Sequence, residues 1–286
     1  MTGASGFVGR YLGDFLRARG HTVIPLSRAG SDQTNPTWTL TGDSDAVVHL
    51  AGENIAQRWN EKTKERIYQS RVRGTHSLSE ALAKLPSHPK VLICASGSAY
   101  YGDRGDEILD EQSAAGKGFL ARVVQHWEAA AEPARAAGIR VVHLRIGLVL
   151  HLRGGALAKM LPIFRVGLAG KLGSGKHYWS WIALPDMLRA VEFLLNNSRV
   201  SGPVNMVGPN PVTNADFTRT LGAVLHRPTF FTAPPFALRL MMGEMADEAL
   251  LTSFRILPRR LQEAGFAFEH PELRTALEFL LDHPAT

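Results

Sequence analysis

Thr2-Gly3-Ala4-Ser5-Gly6-Phe7-Val8-Gly9 decides how this chain is read. Its glycines stand three apart and three apart again, the spacing that lets a strand turn sharply into a helix. N–H groups at the start of that helix face outward, where their partial positive charge favours an anion such as a pyrophosphate. Glycine is needed because a Cβ would block the approach of backbone to phosphate and of helix to strand. A lone triplet is weak support for such a site, but the next residues add to it. Phe7 to Arg19 carries apolar residues at 7, 8, 11, 12, 15 and 16, and Gly20 follows as a C-cap, which is helical periodicity with its stop signal. His21 to Leu26 is a β-branched run that predicts the second strand of a βαβ unit.

The end of that strand selects the ligand. An Asp or Glu there would accept from ribose hydroxyls and favour NAD. Here the strand ends Ser27-Arg28, with no acid before Asp32. A hydroxyl and a guanidinium suit a 2′-phosphate, so NADP(H) is expected over NAD(H); the competing reading of Arg28 is a plain surface arginine. Thr37 to Leu40 reads as a short strand and Asp45 to Glu53 as a clear one, its Ala51 and Gly52 small enough for a ribose or pyrophosphate to lie against the backbone. Glu61 to Leu85 reads as a long helix, and Lys90 to Ala95 as a strand apolar enough for burial on both faces. Ser96-Gly97-Ser98-Ala99-Tyr100-Tyr101-Gly102 follows as a small polar cluster at the carboxyl end of that strand, where open α/β sheets keep their ligands. A helix over Gly118 to Ala137 and a strand over Arg140 to Leu150 come next. Glycines at 154, 155, 167, 170, 173 and 175 then break a region rich in aromatics. The alternation predicts a Rossmann-type, doubly wound α/β fold over residues 1–227, with a smaller substrate lobe mainly in 151–227. Beyond the proline-rich Pro228 to Pro235 lies a helical C-terminal domain, 233–284.

Composition narrows the function classes. The 286 residues are 45% hydrophobic and 20% charged, as in globular proteins. No run of about eighteen apolar residues or signal-peptide pattern is present, so no membrane association is expected. Cys94 is the single cysteine, which excludes an internal disulfide and a cysteine-rich zinc site, and a cytoplasmic location without a metal is expected. The charge is +6. The densest basic segment, Lys62, Lys64, Arg66, Arg71 and Arg73, is mixed with Glu61 and Glu65 and lacks stacking aromatics, so it reads as a solvated helix face and not as a nucleic-acid groove. The excess positive charge fits a phosphorylated ligand.

TGASGFVG at 2–9, DAVVHLAG at 45–52, SGSAYYG at 96–102, RIGLVL at 145–150 and WIALPD at 181–186 together resemble the extended short-chain dehydrogenase/reductases, the NAD-dependent epimerase/dehydratase group. HLAGENI at 49–55, QSR at 69–71, WEAAA at 127–131, GKLGSGKHYWSWI at 170–182 and LPRRLQEAGFAF at 257–268 look like its atypical branch labelled epimerase family protein, which carries a C-terminal domain of unknown function beginning here near Ala233. The resemblance implies that Gly3, Ser5, Gly6, Phe7 and Val8 hold a pyrophosphate, Ser27 and Arg28 an adenosine phosphate, and Leu50, Ala51 and Glu53 the ribose side. Where the parent family has Asn-Val-x-Gly-Thr, this chain has Arg71-Val72-Arg73-Gly74-Thr75. Arg71 is therefore expected to face the ligand cleft.

One departure matters more. The parent family carries a Tyr and, four residues later, a Lys that lowers the phenol pKa for proton transfer. Counting back from Glu128 places these at Leu120 and Val124, neither of which moves a proton. Two readings follow: an NADP(H)-dependent oxidoreductase or epimerase with relocated chemistry, or a non-catalytic NADP(H)-binding sensor or partner-binding module. In the first, Ser96 takes the Ser/Thr role and Tyr100 or Tyr101 supplies the phenol; Tyr101 has a structural alternative, since a Tyr-Gly pair closes this turn across the wider family. Arg165, Lys176 and Trp181 are the candidate contacts to a small, anionic substrate, with domain-interface packing as the alternative for the aromatics. Asp186 is expected to cap its helix. Pairing through the 61–85 and 118–137 helices suggests a homodimer. Finally, the first strand of such a fold needs about five residues, and one residue precedes Thr2. The expectation is that the chain starts late and that its glycine turn lacks an anchor.

Overall fold

The glycine turn opens into α1 (Phe7–Ala18), which buries Gly9, Leu12, Gly13 and Leu16. The structure, a computed structural model, describes residues 1–26, 28–29, 37–38, 40 and 44–283. After α1 come a short antiparallel pair, β1 (Arg28–Ala29) and β2 (Thr37–Trp38), and then β3 (Ala46–His49). Asn60 accepts from Thr63 N–H and starts α2 (Glu61–Ala83). β4 (Val91–Gly97) runs into a tight turn at Ser98–Tyr101. Next are α3 (Phe119–Ala129), α4 (Glu132–Ala136) and β5 (Arg140–Ile146).

The chain then builds the lobe. β6 (Leu148–Leu150), α5 (Gly155–Arg165), β7 (Gly170–Leu172), β8 (Tyr178–Trp179) and β9 (Trp181–Ala183) precede α6 (Leu184–Asn196), which packs back on the main sheet. β10 (Gly202–Met206), β11 (Val212–Thr213) and α7 (Asn214–Val224) follow, Thr213 capping α7 through Asp216 N–H. β12 (Phe231–Ala233), α8 (Pro235–Met242), α9 (Arg259–Glu263) and α10 (Leu273–Asp282) finish the chain.

β10, β5, β4 and β3 form one parallel sheet in that order. α1 and α6 cover one face with an aliphatic core that includes Leu12, Val142, Leu188 and Leu194. Leu78 and Leu82 of α2, with Ala131 and Ala134, cover the other. Helices on both faces of a parallel sheet make the fold Rossmann-type and doubly wound. A separate core around Phe164, Trp181, Phe217 and Leu277 holds the lobe together.

Three elements differ from their sequence reading. The predicted 118–137 helix is broken between α3 and α4, because Pro133 lacks an N–H and its ring would strike the carbonyl of Ala129. The predicted 140–150 strand divides at Gly147, where a Cβ would stand 2.5 Å from Ser180 O; β6 leaves the main sheet there to pair with β9. Residues 21–26 form no strand. Their neighbour is the Met1–Thr2 pair, whose amino group donates to Ile24 O (2.6 Å) and whose Met1 O accepts from Leu26 N–H (2.7 Å). On the other side Thr2 N–H donates to Val48 O at 2.9 Å and Thr2 bridges His49 in parallel. Two residues thus tie both neighbours at their carboxyl ends, and the glycine turn is anchored after all.

Carboxylates dock the C-terminal region. Glu248 accepts from Phe119 and Leu120 N–H, both at 3.0 Å, and Gly118, at φ +111°, leaves it room. Glu111, its pKa raised by burial despite the backbone donors, accepts from Asn205 and Arg260 N–H. Asp186 does not cap its own helix. It accepts from Glu269 and His270 N–H and pairs with Arg189, while Ala183 is the uncapped start of α6. Removing the Glu248 carboxylate with Glu248→Ala leaves the first N–H groups of α3 without a partner, and should lower unfolding free energy by about 1–2 kcal/mol in urea titration.

Candidate functional site

Gly3 has a φ of +66°, and a Cβ on it would lie 2.7 Å from Leu50 C and 2.8 Å from Ala51 N. A Cβ on Gly9 would lie 2.0 Å from Gly3 O. These contacts press the turn against the end of β3 and against its own helix, which alanine would prevent. Gly6 N–H closes the turn on Gly3 O at 3.0 Å. Gly6 is also the cap of α1, with no side-chain cap bond and no acid in the first turn. Ser5 and Gly6 are exposed, so the positive end of a twelve-residue helix faces solvent beside Leu50 and Ala51. Phe7 points away and fills the space that Cβ atoms on Gly154 and Gly155 would need, bringing the start of α5 onto the glycine turn. Sequence reasoning had no signal for that contact, which joins residues about 150 apart in the chain.

A buried polar chain fixes the floor. Thr2 Oγ1 meets His49 Nδ1 at 2.7 Å, His49 Nε2 meets Thr75 Oγ1 at 3.1 Å, and Trp127 Nε1–H donates to Thr75 Oγ1 at 2.8 Å. The far side of Trp127 carries Arg71, its guanidinium 5.0 Å from the ring centroid. Arg71 Nη1 donates to Glu53 O at 2.9 Å and lies against Gly52. Burial lowers its pKa to about 10, partly offset by the Glu53 charge. The structure thus sets Arg71 beside Gly52 and Glu53 at the mouth of β3. Ser27 lies outside the described residues, as does the Arg28 side chain.

Leu120 and Val124 are packing residues. Leu120 is buried with Trp59, Ile67 and Met245, and Val124 Cγ2 stands 3.5 Å from where a Cβ on Gly97 would be. Ser96 Oγ–H donates to Glu128 Oε1 at 2.6 Å. Arg145 grips that carboxylate through Nε (2.8 Å) and Nη2 (2.9 Å), and donates from Nη1 to the Tyr101 hydroxyl at 3.0 Å. Tyr101 in turn donates to Asn205 Oδ1 at 2.7 Å.

Tyr101 is fully buried, and burial raises its pKa to about 12 against the pull of Arg145. It and Ser96 therefore hold the end of β4 in place instead of presenting hydroxyls to a cleft. Burial works against the Glu128 charge, but Arg145 outweighs it and keeps that pKa below the ordinary carboxylate value. Tyr100 differs: it is half-buried, with the Arg145 guanidinium 3.4 Å from its ring centroid. Among the described residues no hydrogen bond to its hydroxyl is seen.

The lobe residues do not converge. Trp181 is 1% exposed, and its Nε1–H donates to Asn210 O; it is core and not a cleft wall. Arg165 is exposed at the end of α5, and Lys176 is exposed in the β7–β8 connection. Asn205 and Arg260 dock the tail: Asn205 Nδ2 donates to Leu257 O, and Arg260 Nη1 to Pro203 O.

Comparison with known proteins agrees with this architecture. The model of the NAD dependent epimerase/dehydratase family matches residues 1–208, and a domain of unknown function, DUF1731, matches 233–280. An epimerase family protein of Mycobacterium bovis is 43% identical over 296 residues, covering 99% of this chain and 97% of its own. The crystal structure of human epimerase family protein SDR39U1 with NADPH superposes with a TM-score of 0.91 at 34% identity, covering 98% of each chain. A nucleoside-diphosphate sugar epimerase from Corynebacterium glutamicum gives 0.80 at 36% identity, covering 98% of this chain and 57% of that one.

The buried pair sets a pH dependence. Because the folded pKa of Glu128 lies below its unfolded value, the stabilisation is complete above about pH 4.5 and is lost as pH falls through the folded value. Glu128→Gln should therefore show a shallower loss of stability than the wild type on acidification below that point. Arg145→Met, which strands the carboxylate, should cost about 3–5 kcal/mol near neutral pH. Denaturant titrations across pH read both.

Proposed function

The chain belongs to the NAD dependent epimerase/dehydratase family, and on that footing we propose that it is an NADP(H)-dependent oxidoreductase or epimerase acting on a small carbonyl or sugar-nucleotide-like substrate. The observation that carries this reading is the uncapped start of α1, held open by Gly3 against Leu50 and Ala51. That cradle fits a dinucleotide: it offers unpaired N–H groups and a helix dipole where a Cβ would intrude. Gly3, Ser5, Gly6, Phe7 and Val8 would hold the pyrophosphate, Leu50, Ala51 and Glu53 the ribose side, and Arg71 would add charge against a phosphate. Ser27 and Arg28 would meet the 2′-phosphate; the human relative crystallised with NADPH supports that choice. When bound, the nicotinamide supplies or accepts a hydride.

Proton handling falls to the chain. With Ser96 and Tyr101 engaged in the buried network, Tyr100 is the phenol left at the carboxyl end of β4, and the Arg145 cation over its ring orients it. Arg165 and Lys176 would then attract an anionic substrate from a distance and not grip it. A cytoplasmic homodimer paired through α2 and α3 fits the same reading.

A second reading has its own support. Leu120 and Val124 are packed where the parent family keeps its Tyr and Lys, as expected of a module that binds NADP(H) and senses or recruits without turnover. Purified protein should take up NADPH more tightly than NADH, and Arg28→Ala should bring the two affinities together. With a turned-over carbonyl, Tyr100→Phe should slow NADPH oxidation about 10²-fold or more at unchanged NADPH affinity. Uptake without turnover across a broad carbonyl panel leaves the sensor reading, and no uptake of either coenzyme removes both.

A further inference from the structure

Three arginines surround the connection that leads from α6 into β10. Arg140 donates to Leu194 O, Leu195 O and Val200 O, which caps the last carbonyls of α6 and offsets the negative end of that helix. Arg260 of α9 donates from Nη1 to Ser201 O and Pro203 O. Gly202, at φ +75°, leaves it room, since a Cβ there would lie 3.2 Å from Nη1. The third, Arg199, is exposed. Nearby arginines are matched by acids, Arg259 by Asp110 and Arg189 by Asp186. Among the described residues Arg140, Arg199 and Arg260 form no ion pair with a carboxylate.

A cavity of about 390 Å³ opens between the end of α6, the start of β10 and α9, with Arg199, Ser201, Arg260 and Glu263 in its lining. Arg260 enters it preorganised. Two carbonyls hold its Nη1, and Glu111 Oε1 accepts from its backbone N–H at 3.3 Å. Its other edge, Nε and Nη2, has no partner among the described residues. That edge is the fork which binds two oxygens of one phosphate or carboxylate. The charges around the cavity do not cancel either: two guanidinium groups face one carboxylate, Glu263, and neither pairs with it.

We infer that this cavity is an anion site that takes the phosphate group of a small phosphate monoester, such as a sugar phosphate. A monoester carries about −1.5 to −2 charge at neutral pH and three acceptor oxygens. It matches Arg199 and Arg260 together, whereas one carboxylate would leave a cation over. The volume falls in the range of small-molecule sites, roughly 300–1,000 Å³, and Ser201 and Glu263 offer partners for the hydroxyls of the ester. The site is also separate from the glycine turn. It lies at the amino end of β10, and the turn lies at the carboxyl end of β3, in one parallel sheet. The inference therefore does not rest on coenzyme binding.

Calorimetric titration of the full chain with glucose 6-phosphate tests it. The ester should bind roughly 10-fold more tightly than inorganic phosphate, because its hydroxyls add hydrogen bonds. Arg199→Ala removes a side chain without partners, and Arg260→Lys keeps a donor for the β10 carbonyls while losing the fork. Each should weaken the ester roughly 10-fold or more, at a thermal midpoint that Arg199→Ala leaves in place. Arg274→Glu, a larger change of charge on α10, should leave the affinity as it was. Absence of binding to the wild type overturns the inference, and so does an affinity that neither arginine variant alters. Equal weakening by Arg274→Glu overturns it as a diffuse charge effect, and displacement of the ester by NADPH assigns the phosphate to the glycine turn instead. Inorganic phosphate bound as tightly as the ester sinks the choice of ligand.

Discussion

Two backbones meet at van der Waals distance where Gly3 lies on the peptide between Leu50 and Ala51, and the rest of the site depends on that contact. It sets the axis of α1 relative to β3, and so aims the open end of the helix dipole across the carboxyl edge of the sheet. A second close approach, Gly9 on Gly3, fixes how steeply the helix leaves the turn. Phe7 then carries the constraint outward: its ring occupies the space of two missing Cβ atoms at Gly154 and Gly155. The lobe is thereby registered against the same turn that would hold the dinucleotide.

Buried hydrogen bonds do the remaining positioning. In a low-dielectric interior each of them is strong when made and costly when broken, so they specify geometry more than they add net stability. The Thr2–His49–Thr75–Trp127 chain joins the glycine turn to α2 and α3. The Ser96–Glu128–Arg145–Tyr101–Asn205 chain joins β4, α3, β5 and β10. In the second, the Ser96 and Tyr101 hydroxyls are held in structural bonds, and Arg145 turns its face to Tyr100.

The C-terminal region packs on α3. Met245 packs on Leu120 and Trp59, while Glu248 caps α3 immediately beside them. Glu111 and Asp186 work in the reverse direction, as carboxylates of the main domain and lobe that bind tail N–H groups. Each interaction uses a charged acceptor on backbone donors, the stronger kind of hydrogen bond. The tail is thus held by directional contacts as well as by its own apolar residues.

The sequence by itself determined what depends on near neighbours in the chain. The glycine spacing, the period of α1 and the apolar run of β4 are all local patterns, and each was legible. Tertiary structure alone decided what depends on long-range approach. It gave Ser96 and Tyr101 to Glu128, Arg145 and Asn205, put Trp181 in the core, turned Asp186 toward the tail, and anchored the turn through Met1 and Thr2. Local spacing fixes which face of an element a side chain leaves from. Its hydrogen-bond partner, and hence its chemistry, is fixed by an element far along the chain, as Asn205 is for Tyr101.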